Sequence, residues 1–130
     1  MKITVIIVRW LMGLVFLFAS IAFFYMSFKH TPMPEMKGNA KLFMDGLTAT
    51  GYFLTLLKVT ELACGLAFVI GRFVPLATVV IFPVTLNILL YHAFLDPEGL
   101  PVAIPLMLGN LFLAFACRKH YQTLLAAKIA

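Results

Sequence analysis

Lys58 and Glu61 stand inside an apolar run from Tyr52 to Ile70 that is long enough to cross a bilayer as a helix. Ionisable groups at that depth face other protein and pair with something, or they carry an ion, a proton or a ligand. At about 100° per residue they share one side of the helix with Gly65. A glycine there lets a neighbouring helix come close. Other polar groups recur inside the apolar runs: Arg9, Asn87 and Asn110, with His92 and Asp96 near one run's end. Cys64 and Cys117 are far apart and form no C-x-x-C pair, so they read as small packing residues. No spacing marks a metal, haem or flavin site.

Elements that could place such groups follow from composition. Of the 130 residues, 63% are hydrophobic and only 12% charged, with a mean hydropathy of +1.04. A soluble domain of this length could not bury that much apolar surface. The chain reads as one all-α membrane domain. Its net charge of +5 comes from cations beside apolar spans, not from a dense basic run, which argues against nucleic acid.

Four transmembrane helices are expected, at about 3–28, 52–70, 73–95 and 100–118, packed as a bundle. The first could be mistaken for a signal peptide, but its apolar run is too long and Arg9 interrupts it. Arg9, Gly13, Phe16 and Ser20 fall on one face of it. Lys29 to Gly51 is the only long polar connection. Pro32 and Pro34 forbid a continuous helix there. Asn39 is expected to cap a short interfacial helix from Ala40 to Leu47, with Phe43 and Leu47 on one side. Gly71 ends the second span as a C-cap, and Pro83 bends the third. Asp96-Pro97-Glu98-Gly99 is a turn.

Cations near helix ends set the orientation. With both termini inside, Lys2, Arg9, Arg72, Arg118, Lys119 and Lys128 are cytoplasmic, against Lys29, Lys37 and Lys41 outside. The interfacial helix then lies in the first extracytoplasmic loop. At 1.5 Å per residue, Arg9, Glu61 and Asn110 lie about 8–13 Å from the cytoplasmic side, and Lys58 and Asn87 about 18–21 Å. The polar network is therefore expected in two layers, with an Arg9–Glu61 ion pair and Asn110 below, and Lys58 and buried Asn87 above. Tyr91 stands one turn further out.

Arg9-x-x-x-Gly13-x-x-Phe16, Glu61-Leu62-x-x-Gly65-Leu66, Gly71-Arg72-Phe73 and Asn87-x-x-x-x-His92 resemble the DoxX family of small four-helix membrane proteins. The resemblance covers the whole chain and is closest from Gly46 to Leu125. It implies a multi-pass protein of the bacterial inner membrane, associated with redox chemistry, some relatives being subunits of a thiosulfate:quinone oxidoreductase. Lys58 is outside the shared pattern, and no catalytic residue carries over.

Two readings of different class follow. One is a non-catalytic subunit of a quinone-linked oxidoreductase that binds a quinone or other lipid-soluble ligand. Lys58 or His92 would bond a carbonyl, with Phe16, Phe82 and Tyr91 as ring contacts. Its partners are an oxidoreductase subunit or a second copy, within the bilayer. The other is a small proton-coupled transporter in which Glu61 exchanges a proton for substrate; a structural or assembly partner without a ligand is the bland counterpart. In a background carrying Cys64→Ala and Cys117→Ala, Arg72→Cys should label only from the cytoplasm and Asn39→Cys only from outside. Labelling of Arg72→Cys from outside alone contradicts the orientation.

Overall fold

The computed structural model describes residues 2–31 and 35–129. Pro32 and Pro34, expected to interrupt the first loop, lie outside the described residues. Helix α1 runs Lys2–Phe28, α2 Gly38–Ala49, α3 Phe53–Ile70, α4 Val74–Phe94 and α5 Leu100–Ala116. Among the described residues, four helices are long and apolar enough to cross a membrane: α1, α3, α4, and α5 with the 3-10 turn Pro97–Gly99 that leads into it. The chain is thus an all-α bundle of four such helices, with α2 as a short fifth.

Each start and stop has a local cause. Pro75 and Pro101 sit in the first turns of α4 and α5, where a missing N–H costs nothing. Gly71 ends α3 at φ +82°, donating its N–H to Ala67 O at 2.9 Å, as a left-handed C-cap should. Phe73, at φ 58°, completes the tight turn into α4. Asn39 does not cap α2: the helix begins one residue earlier, at Gly38, and Lys37 precedes it without a side-chain hydrogen bond. Gly38, at φ +64°, admits a backbone turn that most residues resist, which moves the helix start ahead of Asn39. Gly46 lies inside α2, and Gly51, at φ +78°, makes the turn into α3.

α1 packs most extensively on α3, α4 on α5, and α3 on α4; α1 and α5 close the ring more loosely. The core holds Met12, Phe16, Cys64, Phe68, Ala77, Ile81, Leu106 and Leu113. Outward positions such as Phe18, Ile21, Leu76 and Leu108 are exposed and apolar, the surface a lipid environment requires. Beyond α5, Tyr121 donates its hydroxyl to Pro75 O at 2.8 Å and fastens the tail to the start of α4. Burial, then the adjacent Cys117, holds that phenol above its ordinary pKa.

The α1–α3 seam is built on two glycines. A Cβ on Gly13 would lie 3.1 Å from Gly65 O, and one on Gly65 would lie 3.1 Å from Leu17 N and 3.2 Å from Gly13 O. Backbone meets backbone there, and the Val69 and Leu17 side chains crowd the same space, at 2.7 Å and 3.1 Å from the respective Cβ positions. Antiparallel packing then sets the register: Arg9 lies against Gly71, Gly13 against Gly65, and Phe23 beneath Lys58. Ser20 comes level with Glu61, and both are buried. Gly65→Leu should force the seam apart, costing about 1–3 kcal/mol and lowering the thermal midpoint. Gly46→Ala has nothing within 4 Å of its new Cβ and should gain about 0.4–1 kcal/mol. Equal midpoints for the two variants would contradict this seam.

Candidate functional site

Residues three apart on a helix are neighbours on its surface. Lys58 Nζ accordingly lies 3.0 Å from Glu61 Oε2. The pair is asymmetric: the glutamate side chain is 4% exposed and the lysine 21%. Oε2 is at ion-pair distance from Nζ yet in no directional hydrogen bond, so the contact is one of charge rather than of aligned donor and acceptor. Ser20, level with Glu61, already gives its hydroxyl proton to Phe16 O at 2.7 Å. Lys58 Nζ also stands 5.9 Å from the centre of the Phe23 ring on α1, near the outer limit for cation–π attraction.

The exposed part of Lys58 borders a cleft of about 220 Å³ between α2, α3 and α4. Leu54, Leu57 and Lys58 form one wall; Asn87, Ile88, Tyr91 and His92 form the other. Met36, Phe43, Met44 and Leu47 cover it from the α2 side. The Phe43 and Tyr91 rings lie 5.4 Å apart, and the Tyr91 hydroxyl donates to Met36 Sδ at 3.6 Å. A thioether is a weak acceptor, so that hydroxyl is easily re-aimed. The cleft is therefore apolar on most sides, with a few polar groups at one end and at the mouth, the usual make-up of a small-molecule site.

His92 is the most tightly held of these. Its Nδ1 lies 3.0 Å from Asp96 O and 3.5 Å from Asp96 Oδ2. Gly99 passes so close to the imidazole that a Cβ there would overlap the ring. The turn after α4 thus holds the Nδ1 edge of the ring.

Several expectations need correction. Glu61 pairs with Lys58 of its own helix, and no Arg9–Glu61 ion pair exists among the described residues. Arg9 instead lies against Gly71, where a Cβ would come 2.5 Å from Nη1. That is the C-terminus of α3, the negative end of its dipole, a favourable place for a cation. Its Nε has no hydrogen-bond partner. Asn110 does not serve Glu61 either: its Nδ2 donates to Thr78 O on α4 at 3.3 Å, and its Oδ1 is buried without a partner. Asn87 is exposed rather than buried, since it faces the open side of the cleft.

Of the five residues expected to touch a ligand, Lys58, Tyr91 and His92 line the cleft. Phe16 packs in the core and Phe82 is not on the cleft wall. Their places are taken by Phe43 and the methionines Met36 and Met44. The sequence did mark Phe43 and Leu47 as one side of the interfacial helix, but that side covers protein. A larger groove of about 480 Å³ opens between α1 and α5, lined by Val8, Met12, Pro105 and other apolar residues. It offers no ionisable side chain and no hydroxyl, amide or imidazole, so the smaller cleft is the candidate site. Among the described residues no group of three or more His, Cys, Asp and Glu side chains could hold a metal.

Lys58→Met strands a buried carboxylate and should destabilise by up to roughly 3–5 kcal/mol. Glu61→Gln strands a lysine that can reach the cleft, so its loss should be smaller. The double variant should regain part of what Lys58→Met loses. Arg9→Gln combined with Glu61→Gln should instead be additive to within about 0.5 kcal/mol. Thermal unfolding in nanodiscs measures both cycles. An additive Lys58–Glu61 cycle would mean that the pair contributes nothing.

No family model, no curated protein and no solved structure matches the chain, so what the cleft does rests on its own residues.

Proposed function

We propose that this chain is a redox-associated membrane subunit of the DoxX type. In this reading its outer cleft holds a quinone or another lipid-soluble ring ligand. It sits in the bacterial inner membrane with both termini cytoplasmic, which puts the cleft at the extracytoplasmic face. The supporting observation is the cleft itself. It is a space of about 220 Å³ walled by Leu54, Leu57, Ile88 and Phe43, in which Lys58, Asn87, Tyr91 and His92 are the polar groups. Apolar walls take up a ring and its tail; Lys58 and Asn87 can donate to a ring oxygen. The chain's part is to bind and orient, while an oxidoreductase partner supplies the electron chemistry.

A proton-coupled transporter would need Glu61 free to exchange its proton. Lys58 Nζ at 3.0 Å already occupies that carboxylate, which favours the ligand-holding reading.

Protein purified from bacterial membranes should carry quinone, counted as the sum of its oxidised and reduced forms, in the extracted lipid at close to one per chain. Leu47→Trp adds bulk to the α2 side of the cleft while keeping its polar residues, and should reduce that quinone severalfold while the bundle stays folded. Unchanged retention in Leu47→Trp, or neither quinone nor quinol in the wild-type protein, would contradict the reading.

A further inference from the structure

The cleft's hydrogen-bonding groups are not equivalent, and their difference selects the ligand. Lys58 Nζ can only donate. His92 is different. Its Nδ1 lies 3.0 Å from the backbone oxygen of Asp96, which can only accept. In the neutral ring Nδ1 therefore carries the hydrogen, and Nε2 is left as an acceptor. The Asp96 carboxylate at 3.5 Å from Nδ1 holds the same tautomer. Nε2 makes no hydrogen bond among the described residues. Flipping the ring to present Nδ1 instead would give up both contacts to Asp96, so Nδ1 stays on that turn. The Tyr91 ring stands edge-on to the imidazole, with centroids 5.0 Å apart.

A quinone has carbonyl oxygens only, which satisfy Lys58 but leave His92 Nε2 with nothing to accept. A phenol or quinol carries a hydroxyl that can donate to Nε2, and the quinol's second oxygen can accept from Lys58 or Asn87. We propose that the cleft selects hydroxyl-bearing aromatic rings, phenols and quinols, over quinones and ethers, with His92 Nε2 as the acceptor of the ring hydroxyl. This rests on the cleft being a ring-binding site, and it adds which redox form of the ligand is held. The consequence is directional: the site binds the reduced carrier more tightly, so it retains quinol and releases quinone.

Para-octylphenol and para-octylanisole separate this from the reading beneath it, because they differ only in the hydroxyl hydrogen and a methyl. Binding is read on protein-loaded nanodiscs against empty ones. The phenol should bind about tenfold more tightly than the ether, the worth of one hydrogen bond. His92→Phe keeps a ring against Gly99 and removes the acceptor, and should bring the two probes to within about twofold. Equal binding of the two probes to the wild-type protein overturns the inference and leaves the cleft as a ring site. A preference that survives in His92→Phe overturns the assignment to His92. Failure of both probes to bind overturns the cleft reading and this inference together.

Discussion

A carboxylate buried in a bundle surrounded by lipid must have a counter-charge, and Glu61 takes it from one turn away. The Lys58–Glu61 pair, at 3.0 Å, is the contact from which the site takes its form. Because Glu61 is fully inside, the lysine that neutralises it is held at the end of the cleft, although its long stem could otherwise reach the surface. The polar end of the cleft is thus the outer half of a structural ion pair. A pair with one member removed is far costlier than no pair at all, so neither residue can drift independently while the bundle persists.

The pair depends in turn on how α1 meets α3. Gly13 and Gly65 let the two backbones touch, and that contact sets which residues are level. Arg9 falls at the C-terminus of α3 and Phe23 under Lys58. Arg9 is therefore too far along the bundle to compete for Glu61, and finds the helix dipole instead. The positively charged residues of the two layers have separate anchors: one a side chain, the other the end of a helix. On the opposite side, α2 bridges the mouth through Phe43 and Met36, and the turn after α4 clamps His92.

Much of this was legible in the residues. The four spans follow from hydropathy, and the cap at Gly71 from the freedom of a glycine to take positive φ. The Gly13–Gly65 approach follows from small residues on facing sides. What could not be read was rotation and reach. Depth along an axis placed Arg9, Glu61 and Asn110 in one layer, but residues at one depth on different helices meet only if their azimuths match. Height alone puts Lys58 and Glu61 in separate layers, because their Cα atoms differ by about 4.5 Å along the helix. A lysine side chain spans that easily, so the local neighbour won over the distant arginine. Phe43 and Leu47 were visible as a stripe, but a stripe on an interfacial helix does not say whether lipid or protein covers it. Asn87 looked buried because its helix is; its exposure depends on the gap left between α2, α3 and α4.

The central claim is that Glu61 is neutralised by Lys58 and not by Arg9. Solid-state NMR dipolar recoupling on protein in lipid, with carboxyl-labelled glutamate and side-chain-labelled lysine, measures it directly. The chain has three glutamates, Glu35, Glu61 and Glu98, and among the described residues only Glu61 is paired with a lysine. The account predicts strong dephasing of one glutamate carboxyl by lysine Nζ, lost in Lys58→Met, and none when arginine side chains carry the label. Dephasing of the Glu61 carboxyl by arginine, or by neither, would contradict it.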